Sequence, residues 1–343
     1  MKKFFSLIVF TVALVLFACL CAVGIIVNSV TGWGVLAAIG YAAAGVAAFY
    51  LLHNLLHESF HALFALISGG KITTLSFWCV EFDFLSKKIC FKPSSVYAGW
   101  TSFLCKKPQN AEKTLNFSLA GGLLGSVLSL FVAFLLGFVT KNGVFSSEFF
   151  FAGGLSVCIY MLSVNFIPLV DGNDGSLLFV KGSAFVAAAE RIETESNLYL
   201  GKTLARTFPL TLEKKYGKRP ASVYDAWYFL SLKDEGTAKA VLNNLIENSG
   251  DNEVIAPLTE RFFIACVEKD GAKIAAYKER VVDSFNDELF SLRAHAAYRL
   301  FTGEREWAKA LCETYRRIAR TYPLKGLAET DAAIFEAYLG KSF

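Results

Sequence analysis

The residues best suited to do chemistry sit close together in His53-Asn-Leu-Leu-His57-Glu58-Ser-Phe-His61, which holds three of the chain's 4 histidines. His57 and His61 are four apart, so on a helix they project from one face about one turn apart. Two imidazoles at that spacing can share a zinc ion. Glu58, beside the first, can reach a water on that ion without being a ligand. Zinc lowers the pKa of such a water toward neutrality, and a carboxylate then accepts its proton as general base. Three fixed positions in five recur by chance, but here the motif lies inside an apolar stretch. Ionisable groups in such a stretch are costly and mark functional interiors. His53 extends the same face; its plainer reading is a hydrogen bond to a neighbouring helix.

Two histidines leave zinc one protein ligand short, since catalytic sites typically use three plus water. The candidate for the third lies in Asn165-Phe-Ile-Pro168-Leu-Val-Asp171-Gly-Asn-Asp174-Gly175-Ser-Leu-Leu-Phe. Pro168 removes an amide donor and breaks or kinks a helix. The polar stretch from Asp171 to Gly175 then interrupts an apolar run that resumes at Leu177. Non-helical backbone at membrane depth is tolerated only where protein or a water-filled cavity surrounds it. A carboxylate at such a break could complete a hydrated metal site. The ordinary alternative is a turn that ends the span at the surface.

These motifs must be held by membrane helices. The 343 residues are 54% hydrophobic, and the first half carries most of the 32 Phe. Four apolar runs reach the roughly 20 residues a crossing needs: Phe4–Val27 behind Lys2 and Lys3, about Gly34–Ile67, Leu115–Val139, and one beginning at Phe149. The first run could be a signal peptide, with Leu-Phe-Ala-Cys19 faintly like a lipoprotein cleavage box. It continues past Cys19 to Val30, however, longer than a signal core. Lys71, Lys87, Lys88, Lys92, Lys106, Lys107 and Lys113 crowd the segment between the second and third runs. The positive-inside rule therefore places that segment, with both termini, in the cytoplasm. A start of Met-Lys-Lys without an organelle signal points to a bacterial cell membrane. The 8 cysteines form no CxxC pair and read as free thiols.

HExxH in one span, and Asn-x-x-Pro followed by Asp-Gly in a later one, resemble the site-2 protease family of intramembrane zinc metalloproteases. The resemblance covers about residues 34–180. It includes Leu119-Ala-Gly-Gly-Leu-Leu-Gly125, similar to the small-residue signature of that family's middle core helix. It implies His57 and His61 as metal ligands, Glu58 as catalytic base, a motif aspartate as third ligand, and Asn165 in positioning substrate. The family's aspartate usually lies eight residues after the Asn, whereas Asp171 lies six after and Asp174 nine after. Asp174 is preferred, because Asp174-Gly-Ser-Leu-Leu better matches an Asp-Gly followed by aliphatics; Asp171 is the alternative. Such enzymes are thought to hold an unwound substrate next to short strands. Ile72–Phe77, Val80–Phe84 and Ile89–Phe91 read as such strands, or as a hairpin lying on the membrane surface.

From about Asn197 the chain reads as paired amphipathic helices broken at Gly236, Gly271, Gly303 and Gly340, at intervals of 35, 32 and 37 residues. That is near the tetratricopeptide period and predicts a short α-solenoid that binds a protein partner or simply caps the enzyme. The expected fold is thus mainly α: a polytopic membrane bundle of about four spans with a small cytoplasmic β element. Residues 1–33 form a first span and outer loop. Residues 34–180 form a metalloprotease core, including a strand-containing segment at 71–114. Residues 181–343 form the helical-repeat domain.

The expected function is zinc-dependent hydrolysis of peptide bonds in or next to transmembrane segments of membrane proteins. No PDZ-like insertion is evident between the third and fourth runs, so size filtering by such a domain is not expected. Two other classes compete: an inactive membrane-anchored adaptor presenting the helical repeats, and a metal transporter. Intact His57, Glu58 and His61 argue against the adaptor. A transporter should carry more polar residues along its other spans. A net charge of +4 is too small to argue for nucleic acid.

Overall fold

The computed structural model describes residues 35–78, 80–91, 99–139, 145–168, 173–207, 221–248 and 254–340. The first apolar run and Asp171 lie outside the described residues. The chain divides into two units, Met1–Glu193 and Thr194–Phe343. Both are mainly helical, and the first contains a small antiparallel sheet.

In the first unit three long helices pack together: α1 (Val35–Ile67), α2 (Ala111–Val139) and α3 (Phe145–Phe166). Each is long and apolar enough to cross a membrane. They are apolar around most of their circumference, as a span requires, rather than along one stripe. Phe131, Phe134 and Phe138 on α2 are exposed, as are Leu66 and Ile67 on α1. An exposed apolar surface of this extent suits hydrocarbon and not water.

Toward α1, the face of α2 changes character. Ser118, Gly122, Ser126 and Ser129 are buried along it at spacings of four, four and three. A Cβ on Gly125 would lie 2.6 Å from the Leu56 carbonyl oxygen, and one on Gly122 would lie 2.2 Å from His61 Nε2. Only glycine lets these backbones meet.

After α1 the chain turns at Gly69, whose φ of +94° suits glycine, and enters the sheet. Its strands are β1 (Gly70–Phe77), β2 (Val80–Asp83), β3 (Lys88–Phe91) and β4 (Trp100–Cys105), in the spatial order β3-β2-β1-β4. Asp83 stops β2: its Oδ1 accepts from the Leu85 and Ser86 amides, each at 2.9 Å, an Asx turn. β4 pairs with β1 from Gly70↔Cys105 to Ser76↔Trp100, across a bulge between Ile72 and Thr74. Strand β4 was not foreseen. Its Trp-Thr-Ser-Phe-Leu-Cys run follows Gly99 and precedes the Lys106-Lys107 pair, with little alternation to mark it.

The second unit is built from α5 (Val223–Ser231), α6 (Glu235–Asn248), α7 (Ile255–Glu268), α8 (Gly271–Val282), α9 (Leu289–Phe301), α10 (Arg305–Thr321) and α11 (Lys325–Tyr338), preceded by α4 (Ser183–Tyr199), which straddles the division between the units. Neighbours pack as hairpins, α5 on α6, α7 on α8 and α9 on α10. Ser222 and Asp225 cap α5 reciprocally, and Asp270 caps α8 by accepting from the Lys273 amide. Helix α7 is buried continuously from Pro257 to Cys266, and α11 packs against α5. Cys90, Cys105, Cys158, Cys266 and Cys312 form no disulfide among the described residues.

Candidate metal centre

His53, His57, Glu58 and His61 are all buried on α1. His61 lies six residues, about 9 Å, before the helix end at Ile67. The cluster therefore lies inside the apolar helix but near one end.

The aspartate comes from the segment that follows α3. Helix α3 ends at Phe166 just before Pro168, and a single π-turn spans Ser176–Val180. Asn173 stitches this break. Its Nδ2 donates to the Val164 carbonyl at 2.9 Å and the Ile167 carbonyl at 2.8 Å, while its Oδ1 accepts from the Ser176 amide at 2.8 Å. Those bonds satisfy carbonyls that the end of α3 would otherwise leave bare. They also aim the next residue, Asp174, at the histidines.

His57 Nε2, His61 Nε2 and Asp174 Oδ2 form a nearly equilateral triangle with edges of 3.1, 3.1 and 3.0 Å. These three residues could hold a metal ion. The hydrogen bonds behind them decide what the three atoms are. His57 Nδ1 lies 3.1 Å from the Gly122 carbonyl oxygen, which can only accept, so Nδ1 carries a proton and the neutral ring presents a bare lone pair at Nε2. The Ser118 hydroxyl donates to the His61 carbonyl at 3.2 Å, so it accepts from His61 Nδ1 at 3.3 Å and leaves that Nε2 bare as well.

With both rings neutral, three lone-pair donors face one point, a repulsion that a bound cation would relieve. Ligands about 2.0–2.1 Å from a tetrahedral ion lie about 3.3 Å apart, close to the observed edges. The residues present fit a metal ion.

His53 supports the site without facing it. Ser129 donates to the Ser126 carbonyl at 2.7 Å, so His53 Nδ1 donates to Ser129 Oγ at 2.8 Å. Ser126 in turn donates to His53 Nε2 at 3.4 Å and accepts from His57 Nδ1 at 2.9 Å. The relay fixes the His57 ring, as partners behind a metal ligand commonly do.

Glu58 stands beside the triangle, with Oε1 4.0 Å from His57 Nε2. The site opens into a cavity of about 340 Å³ lined by residues that include Leu115, Met161, Asn165 and Leu177. The structure therefore brings together His57, Glu58, His61, Asn165 and Asp174. Sequence reasoning missed Asn173, Thr101 and the serines of α2. The serine spacing was a usable signal, because a polar stripe at helical period inside an apolar run needs a partner. Comparison of the chain with protein-family models, curated proteins and solved structures found no match.

Proposed function

We propose that the chain is a zinc metalloprotease of the site-2 type, cutting peptide bonds in or next to the transmembrane segments of other membrane proteins. The observation that carries this reading is the meeting of three bare ligand atoms with a spare carboxylate, Glu58, inside a membrane-capable helix. A zinc ion there would supply Lewis acidity and bring a water's pKa near neutrality.

Glu58 takes the proton from the attacking water through Oε1 and passes it to the leaving amine. Asn165 donates to a substrate carbonyl from the cavity wall. A helix buries its peptide bonds in its own hydrogen bonds, so a substrate must unwind before attack. Strand β4 ends the sheet beside the cavity and offers an edge to the unwound stretch. Residues 4–27 add a fourth span in this reading. The lysine-rich segment after α1 supports a cytoplasmic location for the sheet, the site's mouth and the C-terminal residues. Paired helices in the second unit support a second, non-enzymatic role as a solenoid-like surface for a protein partner.

The test is zinc per chain, by elemental analysis of detergent-purified protein. Wild type and Asp171→Ala are expected to hold zinc, and His57→Ala and Asp174→Ala to lose it. Wild type that binds no zinc while folded would sink the proposal.

A further inference from the structure

We infer that Thr101, on strand β4, is a positioning residue for Glu58: its hydroxyl fixes one carboxylate oxygen so that the other faces the metal-binding point. This rests on the proteolytic reading. Thr101 Oγ1 lies 2.7 Å from Glu58 Oε2 and 3.1 Å from the Glu58 carbonyl oxygen. A hydroxyl has one proton, and the shorter, charge-assisted bond to Oε2 claims it. The other oxygen, Oε1, is the one that approaches His57 Nε2. With Oε2 tied to the strand, the carboxylate cannot turn its two oxygens over.

Gly99 closes the same clamp from the backbone. A Cβ there would fall 2.5 Å from Glu58 Cγ and 2.9 Å from Oε1, so the backbone just before β4 packs directly on the side chain. Without these contacts the glutamate's torsions would spread over several rotamers, with a cost in order at every turnover. A misplacement of about 1 Å at a reacting group can cost about 10²-fold in rate. Because β4 is also the sheet's terminal strand, a peptide that adds to its edge presses on the element that aims the base. Peptide engagement and base geometry are therefore mechanically linked.

The experiment uses the full chain in detergent, with β-casein as the cleavage probe and a peptidyl hydroxamate as the binding probe. Thr101→Val is expected to keep wild-type zinc content and to lose about 10–100-fold in kcat, with KM changed by less than about twofold. Thr101→Ser, which keeps the hydroxyl, is expected to recover to within about threefold of wild type. Hydroxamate affinity should fall in Thr101→Val but fall no further when that change is added to Glu58→Gln.

Unchanged kcat and hydroxamate affinity in a zinc-replete Thr101→Val overturns the inference, as does a fall in KM alone. If Thr101→Val does not fold, Thr101→Ala is read in the same way. A chain that folds with neither assigns Thr101 to the fold and also overturns it. Melting of the metal-free protein separates the two levels. Thr101→Val and Glu58→Ala remove one bond, so their shifts should not add, even if Glu58→Gln cleaves as well as wild type and the proteolytic reading falls. Additive shifts overturn the link itself.

Discussion

Each unit buries a cluster of charged groups, and the two clusters are built on opposite plans. In the helical unit, Arg293 is wholly buried between Glu260 and Asp331. Its Nη2 donates to Glu260 Oε1 at 2.8 Å and to Asp331 Oδ2 at 3.0 Å. Trp227 donates to Glu260 at 2.7 Å, Tyr315 donates to Asp331 at 2.8 Å, and the guanidinium lies 4.3 Å above the Phe263 ring. Burial pushes the Glu260 carboxyl above its usual range while Arg293 pulls it back. This cluster carries its own cation. The His57, His61 and Asp174 cluster has no Arg or Lys among its described partners, and the Ser118 and Ser126 hydroxyls donate away from its centre. A buried network that satisfies itself holds a fold together. One that sets three ligand atoms around a single point could hold a metal ion.

The largest expected effect tests the second half of that contrast. Glu58→Gln should retain zinc yet lose about 10²–10⁴-fold in cleavage rate, the usual contribution of a general base. Retained cleavage with zinc bound would take the carboxylate out of the chemistry. The first half predicts the reverse pattern. Arg293→Met removes the cation and strands two buried carboxylates, a loss of about 3–5 kcal/mol. It should show as a lower denaturation midpoint of the helical unit, with zinc content unchanged. Replacing Arg293, Glu260 and Asp331 together by apolar residues of similar volume should be far milder than the single change. If the triple variant is the worse one, the cluster does more than satisfy itself.

The comparison also explains what could be read in advance. His57, Glu58 and His61 share one helix, so a spacing of four and an adjacent carboxylate were enough to place them. Asp174 comes from another element, and only the turn built by Asn173 shows how it reaches the histidines. That turn depends on an asparagine bonding two carbonyls across a proline break, which spacing alone does not encode. Thr101 was invisible for a similar reason: it meets Glu58 through strand pairing 43 residues further on. The Arg293 network joins α7, α9 and α11 across long sequence separations, and no local pattern marks it. The three membrane-capable helices were legible because continuous apolarity is a local property.

Asn173 offers a smaller and sharper test on the metal side. Asn173→Ala removes the bonds to the Val164 and Ile167 carbonyls and to the Ser176 amide, while leaving every donor atom of the triangle in the chain. Zinc affinity should weaken about 10–100-fold, the usual cost of losing a group that orients a ligand. Competition with a chelator of known affinity measures it. Affinity at the wild-type level would mean that Asp174 finds the histidines unaided.

The smallest effect uses the helical unit's own imidazole. His295 stacks on Phe285 at 4.4 Å, and its Nε2 accepts from Arg299 Nε at 3.1 Å. A lone pair here is occupied by a protein cation, where those of His57 and His61 have none. Burial, and then the Arg299 charge, hold the His295 pKa below its ordinary value. A histidine with a depressed folded-state pKa contributes stability above its unfolded pKa of about 6.5 and loses it as pH falls further. Protonation would break the bond from Arg299 and set two cations side by side, with Glu304 offsetting part of the repulsion. The melting temperature of the helical unit should therefore drop slightly from pH 7 to pH 5, and His295→Phe should flatten part of that drop. Zinc content over the same range should be the same in His295→Phe as in wild type. If one substitution altered both curves, the two clusters could not be treated as independent.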